Sequence, residues 1–169
     1  MVARQQDSET SLCRVEVLKV LLRLLSCLWL LAPNNTLDKP QEALWEPPVV
    51  LVACLAAIIH HEARGEPLKG QYAVAHVALN RASKNDTDVC KELKKPFQFS
   101  FYKGKVPIAS EAARKIARSL LVVDYYGYRI DHTFGSEYFV RKDVAKSQQW
   151  LLAMRKTVTI GRHSFYKEK

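Results

Sequence analysis

The chain has 169 residues, with 26 Lys and Arg against 17 Asp and Glu, for a net charge of +9 at pH 7. That length allows one domain with a sizeable core, and a hydrophobic content of 48% excludes wholesale disorder. The six glycines are never clustered, which excludes a phosphate-cradling loop, and the four cysteines form no C-x-x-C pair, which excludes a zinc ribbon or a thiol redox motif.

The basic excess lies late: Arg141 to Lys169 holds eight basic residues and two acidic ones. Such a surface suits a polyanion, whether nucleic acid, anionic lipid or an acidic cell wall polymer. Solubility alone is the plain alternative.

Residues 1–11 are polar. Leu12 to Ala32 is rich in Leu and Val but interrupted by Arg14, Glu16, Lys19 and Arg23. It reads as a secretory signal, as an amphipathic helix lying on a membrane, or as a weak anchor that its internal charges make costly. Export or membrane association is therefore expected of residues 1–32. Residues 33–48, with Pro33, Pro40, Pro47 and Pro48, read as a linker. The working domain is then 49–169.

From Pro47 to Ile59 the chain is small or apolar throughout, too short to span a bilayer and suited to a buried helix with proline at its start. This helix runs directly into His61-Glu62-Ala63-Arg64-Gly65-Glu66. Cys54 lies inside the apolar run and reads as a buried small hydrophobe, with pairing to Cys90 as the alternative in an oxidising compartment. Leu68 to Ala82 reads as a second helix, closed by Asn80-Arg81. Ser83 to Val106 reads as a long polar loop carrying the aromatic cluster Phe97 to Tyr102. Ser110 caps a third helix running to Asp124, with Ala113, Ile116, Ala117, Leu120 and Leu121 on one face. Glu137 to Val140 reads as a strand, Val144 to Met154 as a short helix and Thr157 to Ile160 as a strand, before Gly161 turns the chain. The fold class is α+β, a mainly helical core with a small C-terminal sheet.

The chemistry is sought first around Glu62. A His-Glu metalloprotease helix needs a second His where Gly65 stands, so that motif fails. A rearranged metal site from His60, His61, His76 and Glu66 is the remaining metal reading. No G-x-S-x-G supports a serine nucleophile. Glycoside cleavage needs a protonated carboxyl beside the leaving oxygen. An ordinary Glu, with a pKa of about 4.3, is protonated only about 0.2% of the time at pH 7; a pKa near 6.3, at a cost of about 2.7 kcal/mol, raises that to about a sixth. Glu62, at the end of a buried helix, has the setting for it. Glu66, between Gly65 and Pro67, reads as a more solvated turn residue. A nearby Arg64 would oppose the shift, and a plain salt bridge from Glu62 to Arg64 or His61 is the alternative.

Five segments then occur in order: Glu62-Ala63-Arg64-Gly65-Glu66, Gly70-Gln71-Tyr72-Ala73-Val74-Ala75-His76-Val77-Ala78-Leu79-Asn80-Arg81, Gln98-Phe99-Ser100, Tyr138-Phe139, and Ile160 to Tyr166. Together they resemble the SleB family of cell wall hydrolases, over about residues 50–166. The resemblance implies a lysozyme-like catalytic domain that cleaves peptidoglycan glycan strands without a cofactor or metal. It implies lytic transglycosylase chemistry between N-acetylmuramic acid and N-acetylglucosamine, with muramidase as the variant outcome. It makes Glu62 the catalytic acid and base. Glu66 falls on the second Glu of the motif, with a structural or substrate-orienting part, and Gln98, Ser100, Tyr138 and His163 would line the glycan groove. Phe99, Phe139, Phe165 and Tyr166 are assigned to packing, and Asn80 and Arg81 to locking the second helix.

Ser136-Glu137 departs from the family pattern, leaving Glu137 as a second active-site carboxylate or an edge-strand charge. No peptidoglycan-binding repeat precedes the domain, so the expectation is a phage lysis protein or a wall-remodelling enzyme rather than a spore enzyme. Peptidoglycan is the expected partner, with membrane association through residues 12–32, no nucleic acid, and a monomeric state. The place of action is the periplasm or cell wall. The competing classes are a non-catalytic basic envelope protein and a metal-dependent wall amidase.

Overall fold

A computed structural model describes residues 44–169. The leader and residues 33–43 of the linker lie outside the described residues. Helix α1, Val49–Ala63, starts behind Pro48 and is buried on every side from Cys54 to Ile59. A helix that is apolar all round has to be central, and α1 packs against the other three helices. Only its last turn, with His60, His61 and Glu62, is polar, so Glu62 emerges where the core ends.

Helix α2, Leu68–Lys84, follows a turn at Arg64-Gly65 and Pro67, and runs two residues further than its sequence pattern suggests. Ala73, Ala75 and Ala78 are buried on α2.

The stretch read as one polar loop contains a short helix, α3, Val89–Lys94. Asp88 caps it by accepting the Lys91 N–H at 2.9 Å. Six residues show too little periodicity to be read as a helix, yet Val89, Cys90 and Leu93 are buried together. Cys90 is bonded to Cys54 of α1, with Cα atoms 5.3 Å apart and a sequence separation of 36. Cys54 is thus buried, as expected, but it is half of a disulfide rather than a free small hydrophobe. Loop-closure entropy assigns such a crosslink about 4 kcal/mol.

Helix α4, Glu111–Tyr125, is capped by Ser110, whose hydroxyl accepts the Ala113 N–H at 3.3 Å, and buries the same five residues the periodicity assigns to its face. At its end Tyr125 stacks on Trp45, with ring centroids 4.2 Å apart, and the Tyr126 hydroxyl accepts the Trp45 N–H.

Strands β1 (Tyr138–Arg141), β2 (Met154–Ile160) and β3 (His163–Glu168) form an antiparallel sheet in the order β1-β3-β2. Strand β2 begins at Met154, earlier than expected. The expected helix from Val144 to Met154 is instead two 3-10 turns, Ala145–Ser147 and Gln149–Ala153. None of their residues is buried, so no packed face holds a longer helix together. His163 to Tyr166 turns inward, and Phe165 joins the helical core.

Candidate active site

A cleft of about 540 Å³ opens between the end of α1, the end of β1 and the β2–β3 turn. Glu62, Glu66 and His163 all line it, with Phe139, Val140 and Val144 as its apolar part.

Glu62 is half-buried and makes no ion pair or side-chain hydrogen bond among the described residues. The salt bridge to Arg64 or His61 is not formed. His61 instead stacks on Phe101 at 4.5 Å. Burial pushes the Glu62 carboxyl above the ordinary range, opposed by the Arg81 guanidinium of α2. The opposing cation is therefore Arg81, not its sequence neighbour Arg64.

Glu66 differs from its sequence reading. It does sit in a turn, but its side chain is only 1% exposed. The Arg162 backbone N–H donates to Oε2 at 2.8 Å and the Arg162 guanidinium to Oε1 at 2.6 Å. Burial alone would raise its pKa; these hydrogen bonds overcome that and hold the carboxyl below the usual range. Gly161 has a φ of +59°, and a Cβ there would fall 1.9 Å from Oε2 of Glu66. The glycine is needed both for its backbone angle and for the space.

His163 is buried, and its Nδ1 lies 3.9 Å from Oε1 of Glu66, with no hydrogen-bond partner among the described residues. Burial holds its pKa down, against the pull of Glu66, so the ring is neutral near pH 7. Its neighbour Phe139 meets it edge to face at 5.2 Å.

Gln98, Ser100 and Tyr138 lie outside the cleft lining. Gln98 and Tyr138 are gathered by Arg81, whose Nη1 donates to Gln98 Oε1 at 2.6 Å and whose guanidinium lies 5.2 Å from the Tyr138 ring centroid. Its Nε donates to the Glu137 carbonyl, and the Phe99 ring centroid is 5.9 Å away. Ser100 is exposed beside the buried Phe99. Arg81 does lock α2 to its neighbours, and it also acts on Glu62, which the sequence reading missed. Its place at the end of the motif containing Asn80 was the available signal. Asn80 is purely a lock, donating to Asp131 Oδ2 and the Ser136 carbonyl, both at 2.9 Å. The Glu137 carboxylate pairs with Lys84 at 2.5 Å.

The rearranged metal site does not assemble. His76 lies in a separate, largely apolar hollow with Tyr72, Leu120 and Ile130, while Glu66 is engaged by Arg162. Among the described residues, no group of three or more His, Cys, Asp or Glu is arranged to hold a metal ion.

The profile of the cell wall hydrolase family matches residues 65–166. The chain belongs to that family. Membership makes peptidoglycan its substrate class and wall degradation its activity, so it acts outside the cytoplasm or at the wall, where the Cys54–Cys90 disulfide persists. Among the described residues, no helix is long and apolar enough to cross a membrane. Glu62 lies just before the matched segment. Two solved structures are similar to the chain. The catalytic domain of Bacillus cereus SleB is 30% identical, with 69% of this chain and 89% of that one covered and a TM-score of 0.56. The catalytic domain of the germination-specific lytic transglycosylase SleB from Bacillus anthracis is 28% identical, with coverage of 72% and 97% and a TM-score of 0.59. No curated protein matches the chain.

Proposed function

We propose that the chain is a lytic transglycosylase that cleaves peptidoglycan between N-acetylmuramic acid and N-acetylglucosamine, with Glu62 as its acid and base. The observation that carries this is Glu62 itself: a half-buried, unpaired carboxyl in an open cleft, with its pKa raised by burial. Protonated Glu62 donates to the glycosidic oxygen as the bond to the muramoyl anomeric carbon breaks. An oxocarbenium-like ring remains. The Glu62 carboxylate then takes the proton of the ring's 6-hydroxyl, whose oxygen bonds to the anomeric carbon. The product is a 1,6-anhydro sugar, no water is consumed, and Glu62 ends protonated as it began.

Transglycosylation is favoured over hydrolysis because a hydrolase needs a second carboxylate to serve water. Glu66, the other carboxylate lining the cleft, is held by Arg162, and Glu137 is held by Lys84. In this reading Glu66 is a clasp that sets the cleft wall, and His163 closes the wall behind it. Gln98, Ser100 and Tyr138 extend the glycan groove past Arg81. Residues 12–32 carry the monomeric enzyme to the envelope, for phage-type lysis or wall remodelling.

The test is mass spectrometry of peptidoglycan digested by the full chain, wild type beside Glu62→Gln, with a chelator present. Anhydro-muropeptides from wild type alone are expected. Reducing ends would make it a muramidase. Intact strands from a folded wild type would return the chain to a non-catalytic envelope role.

A further inference from the structure

The cleft around Glu62 is unusually cationic for a site that acts on a neutral sugar bond. Three guanidiniums line it, from Arg64, Arg141 and Arg162. The Arg162 charge is already paired with the buried Glu66, to which its Nε donates, and its Nη2 donates to the Gly65 carbonyl at 3.0 Å. Arg64, at the end of α1, has neither an ion pair nor a side-chain hydrogen bond among the described residues, and it is exposed. Among the described residues Arg141, at the end of β1, pairs only with Asp143, in a contact where both side chains are more than half exposed. An exposed pair of this kind is worth little, so a ligand carboxylate can compete for the arginine. The cleft's two histidines, His61 and His163, both have pKa values held down, so they add no charge near pH 7. The available positive charge is therefore on Arg64 and Arg141, one from each of two elements that border the same cleft.

Arginine stays charged at every working pH and matches a carboxylate in two-point geometry. The backbone sugars of peptidoglycan are uncharged, and a carboxylate enters the strand only through the lactyl arm on the muramoyl ring. We propose that Arg64 and Arg141 bind a carboxylate carried on that lactyl arm, and so select acid-bearing muramoyl strands over strands whose carboxylates are absent or blocked. The carboxylate is either the arm's own, where no peptide is attached, or one belonging to the stem peptide. The proposal rests on the glycan-cleavage reading above and adds its substrate selectivity.

The experiment measures kcat and KM of the full chain on soluble un-cross-linked strands of three kinds. One retains stem peptides, a second has had the peptides removed to leave the free lactyl carboxylate, and a third has its peptide carboxylates converted to neutral amides. Wild type is compared with Arg64→Gln and Arg141→Gln. Relative to the better-bound of the other two strands, the amidated strands should show a KM about tenfold higher, the size of one lost charge-assisted hydrogen bond. Arg64→Gln should raise KM similarly on that better-bound strand, with kcat little changed, and should add nothing on the amidated strands. Full activity on the peptide-free strands would assign the carboxylate to the lactyl arm; loss there would assign it to the peptide. Equal KM on all three strands, or an unchanged KM in both variants on every strand, would overturn the proposal while leaving cleavage intact. Failure of wild type to cut any of the three would remove the cleavage reading, and the selectivity with it.

Discussion

Glu66 and Arg162 are 96 positions apart in sequence, yet the Glu66 carboxylate takes both the backbone N–H and the guanidinium of Arg162. This clasp joins the α1–α2 turn to the β2–β3 turn, and these are two of the three walls of the cleft. The partners are unequal. Glu66 is 1% exposed and the Arg162 side chain is 62% exposed.

That asymmetry predicts unequal mutational costs. Arg162→Ala leaves a buried carboxylate with one backbone hydrogen bond, at a cost of about 3 kcal/mol. Glu66→Gln leaves an arginine that water can reach, so its cost is smaller, about 1–2 kcal/mol. Gly161→Ala combines a left-handed backbone angle with a contact on Glu66, and should cost at least about 1–2 kcal/mol. Chemical denaturation of the three variants ranks them; Glu66→Gln proving the most harmful would contradict the clasp as described.

The same clasp sets the acid limb of stability. The folded pKa of Glu66 lies below its unfolded value. Its contribution is therefore complete above the unfolded pKa of about 4.3, and is lost as pH falls through the folded value. Glu66→Gln should flatten this limb below about pH 4.3 in melting curves taken across pH.

Reduction is expected to act on α3. The Cys54–Cys90 bond ties a six-residue helix to the central helix. Breaking it should cost on the order of 4 kcal/mol and first loosen Val89–Lys94, which hydrogen exchange with and without reductant will reveal. A Cys90→Ala chain that melts like wild type would show that packing of Val89 and Leu93 suffices.

How far these features were legible in the sequence depended on their range. Helix α1 and the face of α4 follow from local periodicity, and Ser110 announces its helix by its own side chain. Glu62 at the end of an apolar run is likewise a local signal. The burial of Glu66 is not: a glutamate beside Gly65 and Pro67 reads as solvated until Arg162 is folded against it. The disulfide depended on the unseen helix α3, because only that helix brings Cys90 to Cys54. The 3-10 turns after Val144 have apolar residues at helical spacing, but nothing covers them. Motif resemblance recovered what periodicity could not, by linking Glu62 to segments such as Ile160 to Tyr166.

Activity should fall as pH rises through the Glu62 pKa, because the acid must hold its proton. That limb should lie above the value of an ordinary glutamate, in the direction burial imposes. Its effect on stability has the opposite sign from that of Glu66. A carboxyl with a raised folded pKa weakens the fold as pH climbs from the unfolded value through the folded one. Glu62→Gln should therefore lose at least about a thousandfold in kcat, yet be as stable as wild type or slightly more so at pH 7. An inactive variant that is also strongly destabilised would point to a structural Glu62 instead.

Arg81 gives the last and most specific prediction. Its charge opposes the effect of burial on Glu62, while its hydrogen bonds hold Gln98 and the Glu137 carbonyl. Arg81→Met removes both. Loss of the charge should move the alkaline limb of the kcat/KM profile to higher pH, because nothing then offsets burial at Glu62. If Gln98 lines the glycan groove as proposed, loss of the hydrogen bonds should lower kcat/KM at every pH by releasing it. Arg81→Lys separates the two effects, since lysine keeps the charge but not the fork that reaches Gln98 and Glu137 together. Its limb should stay near the wild-type position while its kcat/KM falls. If both variants keep the wild-type limb, Arg81 is only a lock between α2 and the sheet.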